Sequence, residues 1–176
     1  QGLRVTSFGS GPAAEVFDSS VQLGNPSNLD VELIDIDEQA LEFVRHKMAD
    51  KTHDMKVSLH RANLVRLSRG RTRLELPPQD LIYSMGVSDY LNDDFVVSLL
   101  NLAHGMLRPG GTVILGNFHN DNPTRALMDH VLDWKLIHRC EADMHRLMSS
   151  SAFGAPCDEI LTDDLGTQMF AIKRKL

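Results

Sequence analysis

At 176 residues the chain is long enough for one domain with its own core, and 42% hydrophobic with 24% charged side chains is ordinary for a globular protein. A formal net charge of −6 argues against a general nucleic-acid partner, because neutralising phosphates takes a basic surface. Cys140 and Cys157 have neither metal-ligand spacing nor the density of a disulfide scaffold, which points to a reducing cytoplasm and to no metal; no apolar run has membrane-spanning length, and no signal peptide is visible.

The chain starts with a short strand pattern, Leu3 to Phe8, running into Gly9-Ser10-Gly11, and Ala13 to Leu23 then reads as a helix. Glycines at such a turn adopt dihedrals closed to other residues and let a ligand approach the main chain. The helix N-terminus behind them offers free N–H groups and a partial positive charge. Residues 24–28 form a turn cluster, and Val31 to Ile36 is an apolar strand carrying Asp35 at its end. Asp37 is a plausible N-cap for a helix with Ala40, Leu41, Val44 and Met48 on one face.

Val57 to Leu59 is a short third strand ending near Ala62-Asn63, and Arg66 to Arg73 is a basic, exposed excursion, a solvated loop or turn of helix. Asp80 to Gly86 reads as a fourth strand. Asn92-Asp93-Asp94 caps an amphipathic helix through Leu107, Arg108-Pro109-Gly110-Gly111 ends it, and Thr112 to Gly116 is a fifth strand. A helix starts at Asn122-Pro123-Thr124 and reaches Trp134 to Ile137, with Trp134 on its core face. Glu141 to Met148 is a further short helix, and Glu159–Thr162 with Gln168–Ile172 flank a hairpin turn. Strands alternating with helices give a doubly wound, mostly parallel α/β sheet, with the ligand at the strands' C-terminal ends where the order reverses.

Two cofactors compete for the glycine turn. Gly9-x-Gly11-x-x-Ala14, with Asp35 about 20 residues on, satisfies the dinucleotide fingerprint, which keeps an NAD-dependent oxidoreductase open. Downstream, Asp80-Leu-Ile-Tyr-Ser-Met-Gly and Leu107-Arg-Pro-Gly-Gly-Thr-Val-Ile-Leu, followed by the C-terminal hairpin, resemble class I S-adenosylmethionine-dependent methyltransferases over nearly the whole chain. The resemblance implies a seven-stranded sheet of order 3-2-1-4-5-7-6 with strand seven antiparallel.

It also implies that Gly9, Ser10 and Gly11 lie against the methionine part of S-adenosylmethionine, that Asp35 accepts from the ribose hydroxyls, and that Ile36 packs on adenine. Ala62 and Asn63 fall where the family reads the adenine edge, and Ser84 and Met85 beside the transferable methyl. Many members have an acid two residues before the first glycine; here Ser7 stands there. Val87 to Leu91, Gly116 to Arg125 and Leu132 to Ile137 are similar to bacterial methyltransferases labelled as making 3-hydroxypalmitate methyl ester.

The implied activity is methyl transfer to a small-molecule acceptor, with a lipid carboxylate or hydroxyl as its candidate group. A non-catalytic cofactor-binding domain is the second reading. Candidate catalytic groups at the strand ends are Asp89, Tyr90 and His119, each with a plainer role: a loop acid, a packed lid aromatic and a loop hydrogen-bonder. The chain begins at Gln1 with the first strand almost at once, so it reads as one methyltransferase core, residues 1–176, without the N-terminal segment that folds over the cofactor in this family. Such a piece is expected to keep cofactor affinity and to transfer methyl groups poorly.

Overall fold

A computed structural model describes residues 2–24, 26–49 and 54–176, so Asn25 of the expected turn cluster lies outside the described residues. In chain order the elements are β1 (Leu3–Phe8), α1 (Ala14–Gln22), β2 (Leu29–Asp35), α2 (Glu38–Ala49), β3 (Lys56–Arg61), α3 (Leu64–Ser68), β4 (Gln79–Ser84), α4 (Asp93–Met106), β5 (Leu107–Phe118), α5 (Arg125–His130), α6 (Glu141–Ser150), β6 (Glu159–Thr162) and β7 (Gln168–Arg174). A single 3-10 turn, Ser88–Tyr90, separates β4 from α4.

The sheet has the order β3-β2-β1-β4-β5-β7-β6. Its first five strands are parallel, and β7 runs antiparallel to both neighbours. The period of two along each strand divides the apolar side chains between two faces. Val5, Val31, Leu33 and Tyr83 pack with Val16 and Phe17 of α1 and Val44 of α2. Phe8, Ile34, Ile82 and Leu115 point the other way, against Leu67 of α3, Leu99 and Leu100 of α4, and Met144 and Leu147 of α6. Strands buried on both faces need continuous apolar runs, which explains why Leu33-Ile34 can stand side by side. The reversal between β1 and β4 puts the glycine turn at the switch point, at the C-terminal ends of the strands.

Three local expectations are corrected, and the basic excursion takes its turn-of-helix alternative. Strand β3 extends on both sides of Val57 to Leu59. The basic excursion begins as a helix, α3, because Asn63 caps it: its Oδ1 accepts from the Arg66 N–H at 3.1 Å. Arg108-Pro-Gly-Gly does not lie outside the sheet; β5 starts at Leu107, which pairs with Gln79, and the next pair is Leu81 with Thr112. The extra residues bulge out and are tied to the C-terminus by the Gly110 N–H to Lys175 O bond and the Lys175 N–H to Gly111 O bond, both 2.8 Å.

The helix after Pro123 stops at His130. Asp133 takes a left-handed φ of 46°, and beyond it the Ile137 and Arg139 N–H groups donate to Asp89 O and Phe118 O instead of to a helical turn. Trp134 is therefore not core; it is 41% exposed and its Nε1 donates to the Tyr90 hydroxyl at 2.8 Å.

The division of faces gives a stability test. Leu33 has no exposed surface, whereas Leu161 on β6 is 48% exposed. Leu33→Ala is expected to cost about 2–5 kcal/mol in urea denaturation, and Leu161→Ala less than about 1 kcal/mol. Equal losses would contradict the assignment of Leu33 to the core.

Candidate functional site

A cleft of about 350 Å³ opens where β1, β2 and β3 end. Gly9 and Gly11 form its floor with φ of 68° and 50°. The two glycines serve different ends. A Cβ on Gly9 would meet Val87 Cγ2 at 2.1 Å, so this glycine makes room for the chain leaving β4; a Cβ on Gly11 would meet nothing within 4 Å, so that glycine borders open space.

Asp35 joins the turn to the end of β2. Its Oδ2 accepts from the Gly11 N–H at 2.7 Å and its Oδ1 from the Asp37 N–H at 2.8 Å. Each oxygen keeps a second lone pair toward the cleft that Asp35 lines. Beside it Ile36, 59% exposed, offers an apolar face to the same cleft. Opposite stand Ala62 and Asn63, followed by Leu64 and Val65 of α3. Because Asn63 Oδ1 caps α3, the group it has left for a ligand is its amide Nδ2 donor.

The remaining residues singled out from the sequence lie elsewhere. Ser10 and Ser84 are buried, and Ser84 Oγ donates to Phe8 O at 3.0 Å. The Met85 side chain lines an apolar groove of about 340 Å³ with Val5, Leu81, Tyr83 and Ile114, on the sheet face that also carries α1. Gly86 and Val87, which were not among the expected cofactor residues, close the cleft instead.

Ser7 is buried and hydrogen-bonded to the Tyr83 hydroxyl, which donates to Glu15 Oε1 at 2.8 Å. Burial, with the Glu15 charge adding to it, pushes the Tyr83 phenol far above its ordinary value, so it stays a neutral donor. Glu15, on the first turn of α1, lines the groove of Met85 and Tyr83 and not the cleft of Gly9 and Gly11.

The second half of the site is built from the chain leaving β4 and β5. Asp89, only 1% exposed, accepts from the Phe118 N–H at 2.7 Å through Oδ1, while its buried Oδ2 has no partner. Burial raises its pKa, against the Phe118 N–H and the positive charge of Arg139. Arg139, also buried, donates to Ser88 O, Leu91 O, Asn117 Oδ1 and Asp93 Oδ1, and so fastens both loops to one guanidinium. A single Arg beside the apolar Leu136 and Ile137 gave no sign of this in the sequence.

Around this clamp lies an apolar platform. Phe118 meets Trp134 edge-on with ring centres 5.9 Å apart, and Trp134 bonds Tyr90. Tyr90, Leu127, Val131, Leu132 and Ile137 are all 41–70% exposed. At the end of β5, His119 Nδ1 accepts from the Asp121 N–H at 3.1 Å, which leaves the proton of the neutral ring on Nε2. Among the described residues no group of three His, Cys, Asp or Glu could hold a metal ion, and no helix is long and apolar enough to cross a membrane.

No protein-family model matches the chain. No curated protein is similar to it in sequence. Solved structures are. A possible exported protein from Bordetella parapertussis superposes with a TM-score of 0.78 at 19% identity, over 99% of this chain and 62% of that one. The S-adenosylmethionine-dependent methyltransferase SibL does so with 0.75 at 20%, over 99% of this chain and 51% of its own. Magnesium protoporphyrin IX methyltransferase (ChlM) from Synechocystis PCC 6803, with bound SAH, gives 0.70 at 13%, over 99% and 74%. The chain thus spans half to three-fifths of the length of the first two. Over almost its entire length it has the fold of S-adenosylmethionine-dependent methyltransferases.

Proposed function

We propose that this chain binds S-adenosylmethionine in the cleft at the ends of β1, β2 and β3 and methylates the carboxylate of an apolar small-molecule acid at the ends of β4 and β5. The observation that carries the cofactor reading is Asp35: a carboxylate fixed by two amides beside open space over Gly11 and an exposed Ile36.

These residues fit the group. Ribose hydroxyls are donors and suit the free lone pairs of Asp35; adenine is flat and apolar on its faces and suits Ile36; its ring nitrogens accept and suit Asn63 Nδ2. The NAD reading loses support from topology, because the order β3-β2-β1-β4-β5-β7-β6 departs from the 3-2-1-4-5-6 order of dinucleotide-binding sheets.

When bound, the sulfonium supplies an already electrophilic methyl group, so the protein's task is in-line placement of a nucleophile. An acid is the acceptor these residues suit. With its neutral proton on Nε2, His119 offers a donor to an anion rather than a base to an alcohol, and a carboxylate needs no base. Asp89 is sealed from solvent, so its role is to hold Phe118 and Ile137 in position through Oδ1 and its carbonyl. Tyr90, Trp134 and the exposed apolar residues on and after α5 form a surface for a hydrocarbon body, which supports a lipid acid over a polar metabolite.

Calorimetry with S-adenosylhomocysteine and with NAD tests the cofactor, and methyl-ester formation from a medium-chain 3-hydroxy acid tests the chemistry. Binding of NAD alone would overturn the first, and methylation of the hydroxyl rather than the carboxylate would overturn the second. Binding of S-adenosylhomocysteine without any methyl transfer would favour a non-catalytic cofactor-binding domain.

Three outcomes are expected of variants. Asp35→Ala is expected to lose roughly 1.5–3 kcal/mol per ribose bond, at least about tenfold in affinity for S-adenosylhomocysteine, with Asp35→Asn in between. His119→Gln, which keeps an N–H donor, is expected to retain more turnover than His119→Phe, measured as ester formed per enzyme.

Asp89 is expected to show in the pH dependence of stability. A carboxyl whose folded pKa is raised stabilises the fold below its ordinary range, near pH 4, and loses that contribution as pH rises through the folded value. Asp89→Asn should therefore gain on the native protein in urea denaturation as pH rises above about 4. A constant difference as pH rises would mean that the carboxyl is not strained by burial.

A further inference from the structure

The stretch from 61 to 73 separates charge from the rest of the molecule. It holds Arg61, Arg66, Arg69, Arg71 and Arg73 and no acidic residue. Of 18 basic and 24 acidic side chains in the chain, five of the 18 stand here and none of the 24, which leaves 13 against 24, a balance of −11, elsewhere. All five arginines are exposed. Arg61 pairs with Glu38 at 3.1 Å, and among the described residues the other four have no ion pair.

The backbone gathers these charges. Helix α3 ends in a Schellman turn: Gly70, at φ 66°, donates to Leu67 O at 3.0 Å, and the Arg71 N–H returns to Arg66 O at 2.9 Å. Arg71 is thereby folded back against the first turn of α3. Arg69 is fixed from the other side, its guanidinium 4.0 Å from the centre of the Phe95 ring on α4. A cluster of unpaired like charges repels itself, so holding it on a closed turn costs stability that a mixed surface would not.

We infer that this arginine turn is a docking surface for an acidic helix of a partner protein, beside the adenine end of the cleft whose wall begins at Ala62 and Asn63. Its chemistry separates the possible anions. The cation is always Arg and never Lys, and the planar guanidinium, which pairs bidentately with carboxylate and phosphate alike, recurs at protein interfaces. A nucleic acid would track its phosphates along a basic strip, whereas these charges are folded into one turn and surrounded by a net acidic surface. An anionic membrane would need several apolar anchors beside the charge, but Leu64 and Leu67 of α3 are buried and the exposed Ile36 lines the cleft. A helix with glutamates at i and i+4 presents a cluster of matching size.

The test is fluorescence-anisotropy titration of the protein with a labelled synthetic helical peptide carrying four glutamates at i, i+4 spacing. A DNA duplex and phosphatidylglycerol vesicles serve as the competing arms. The peptide is expected to bind, to weaken severalfold from about 50 to about 200 mM salt, and to be at least about tenfold weaker for Arg66→Glu/Arg71→Glu. Arg66→Gln/Arg71→Gln should fall between, which separates loss of attraction from misfolding. Affinity for S-adenosylhomocysteine should be unchanged in both variants, so failure here is distinguishable from failure of the cofactor reading. No peptide binding, equal binding by the reversed variant, or tighter binding of the duplex or the vesicles would overturn the proposal.

Discussion

The site rests on the grip of Asp35 on the Gly11 amide. Left-handed glycines cost backbone entropy, and a turn built on Gly9 and Gly11 has no side chain of its own to hold it. The Gly9 and Ser10 N–H groups donate to Ile34 O. One carboxylate completes the hold: it takes the Gly11 N–H at the end of the turn and the Asp37 N–H at the start of α2. The end of β2, the turn after β1 and the entry to α2 become one unit. The same residue's carbonyl accepts from Ala62, which brings the end of β3 to the unit as well. Three strand ends converge on a single side chain and its backbone.

The chain leaving β4 and β5 uses another device. There the loops are irregular, so their carbonyls need partners that no ladder supplies. Arg139 meets Ser88 O and Leu91 O, Asn117 Nδ2 meets Phe118 O and Ile137 O, and the Asp89 carboxylate takes the Phe118 amide. This polar knot lies inside the protein, and its outer side is covered by exposed aromatic and aliphatic residues. A rigid interior under an apolar exterior is what the proposed apolar acceptor requires.

How far the sequence carries depends on the range of the interactions. The Asn92 cap, the apolar face of α4 and the hairpin closing the chain are decided within a few residues, and all three were legible. The place of Asp35 at the end of β2 beside the glycine turn was legible too; its bond to the Gly11 amide was not. Asn63 was seen as a ligand residue and not as a helix cap, although the cap is the bond the fold itself makes. Val131, Leu132, Trp134 and Ile137 imitate a helical face, and only the distant carbonyls of Asp89 and Phe118 pull that segment out of a helix. The bulge at Gly110 and Gly111 is set by β4 and the C-terminus, neither of which is near in sequence. The arginine turn was visible as charge, but its closure through Gly70 and Phe95 was not.

The most direct test of this account is a crystal structure of the protein grown with S-adenosylhomocysteine. The ribose hydroxyls are expected on the two oxygens of Asp35, with adenine against Ile36 and within reach of Asn63 Nδ2. Density for the ligand in the groove beside Met85 and Tyr83, or ribose hydroxyls turned away from an undisturbed Asp35–Gly11 bond, would contradict it.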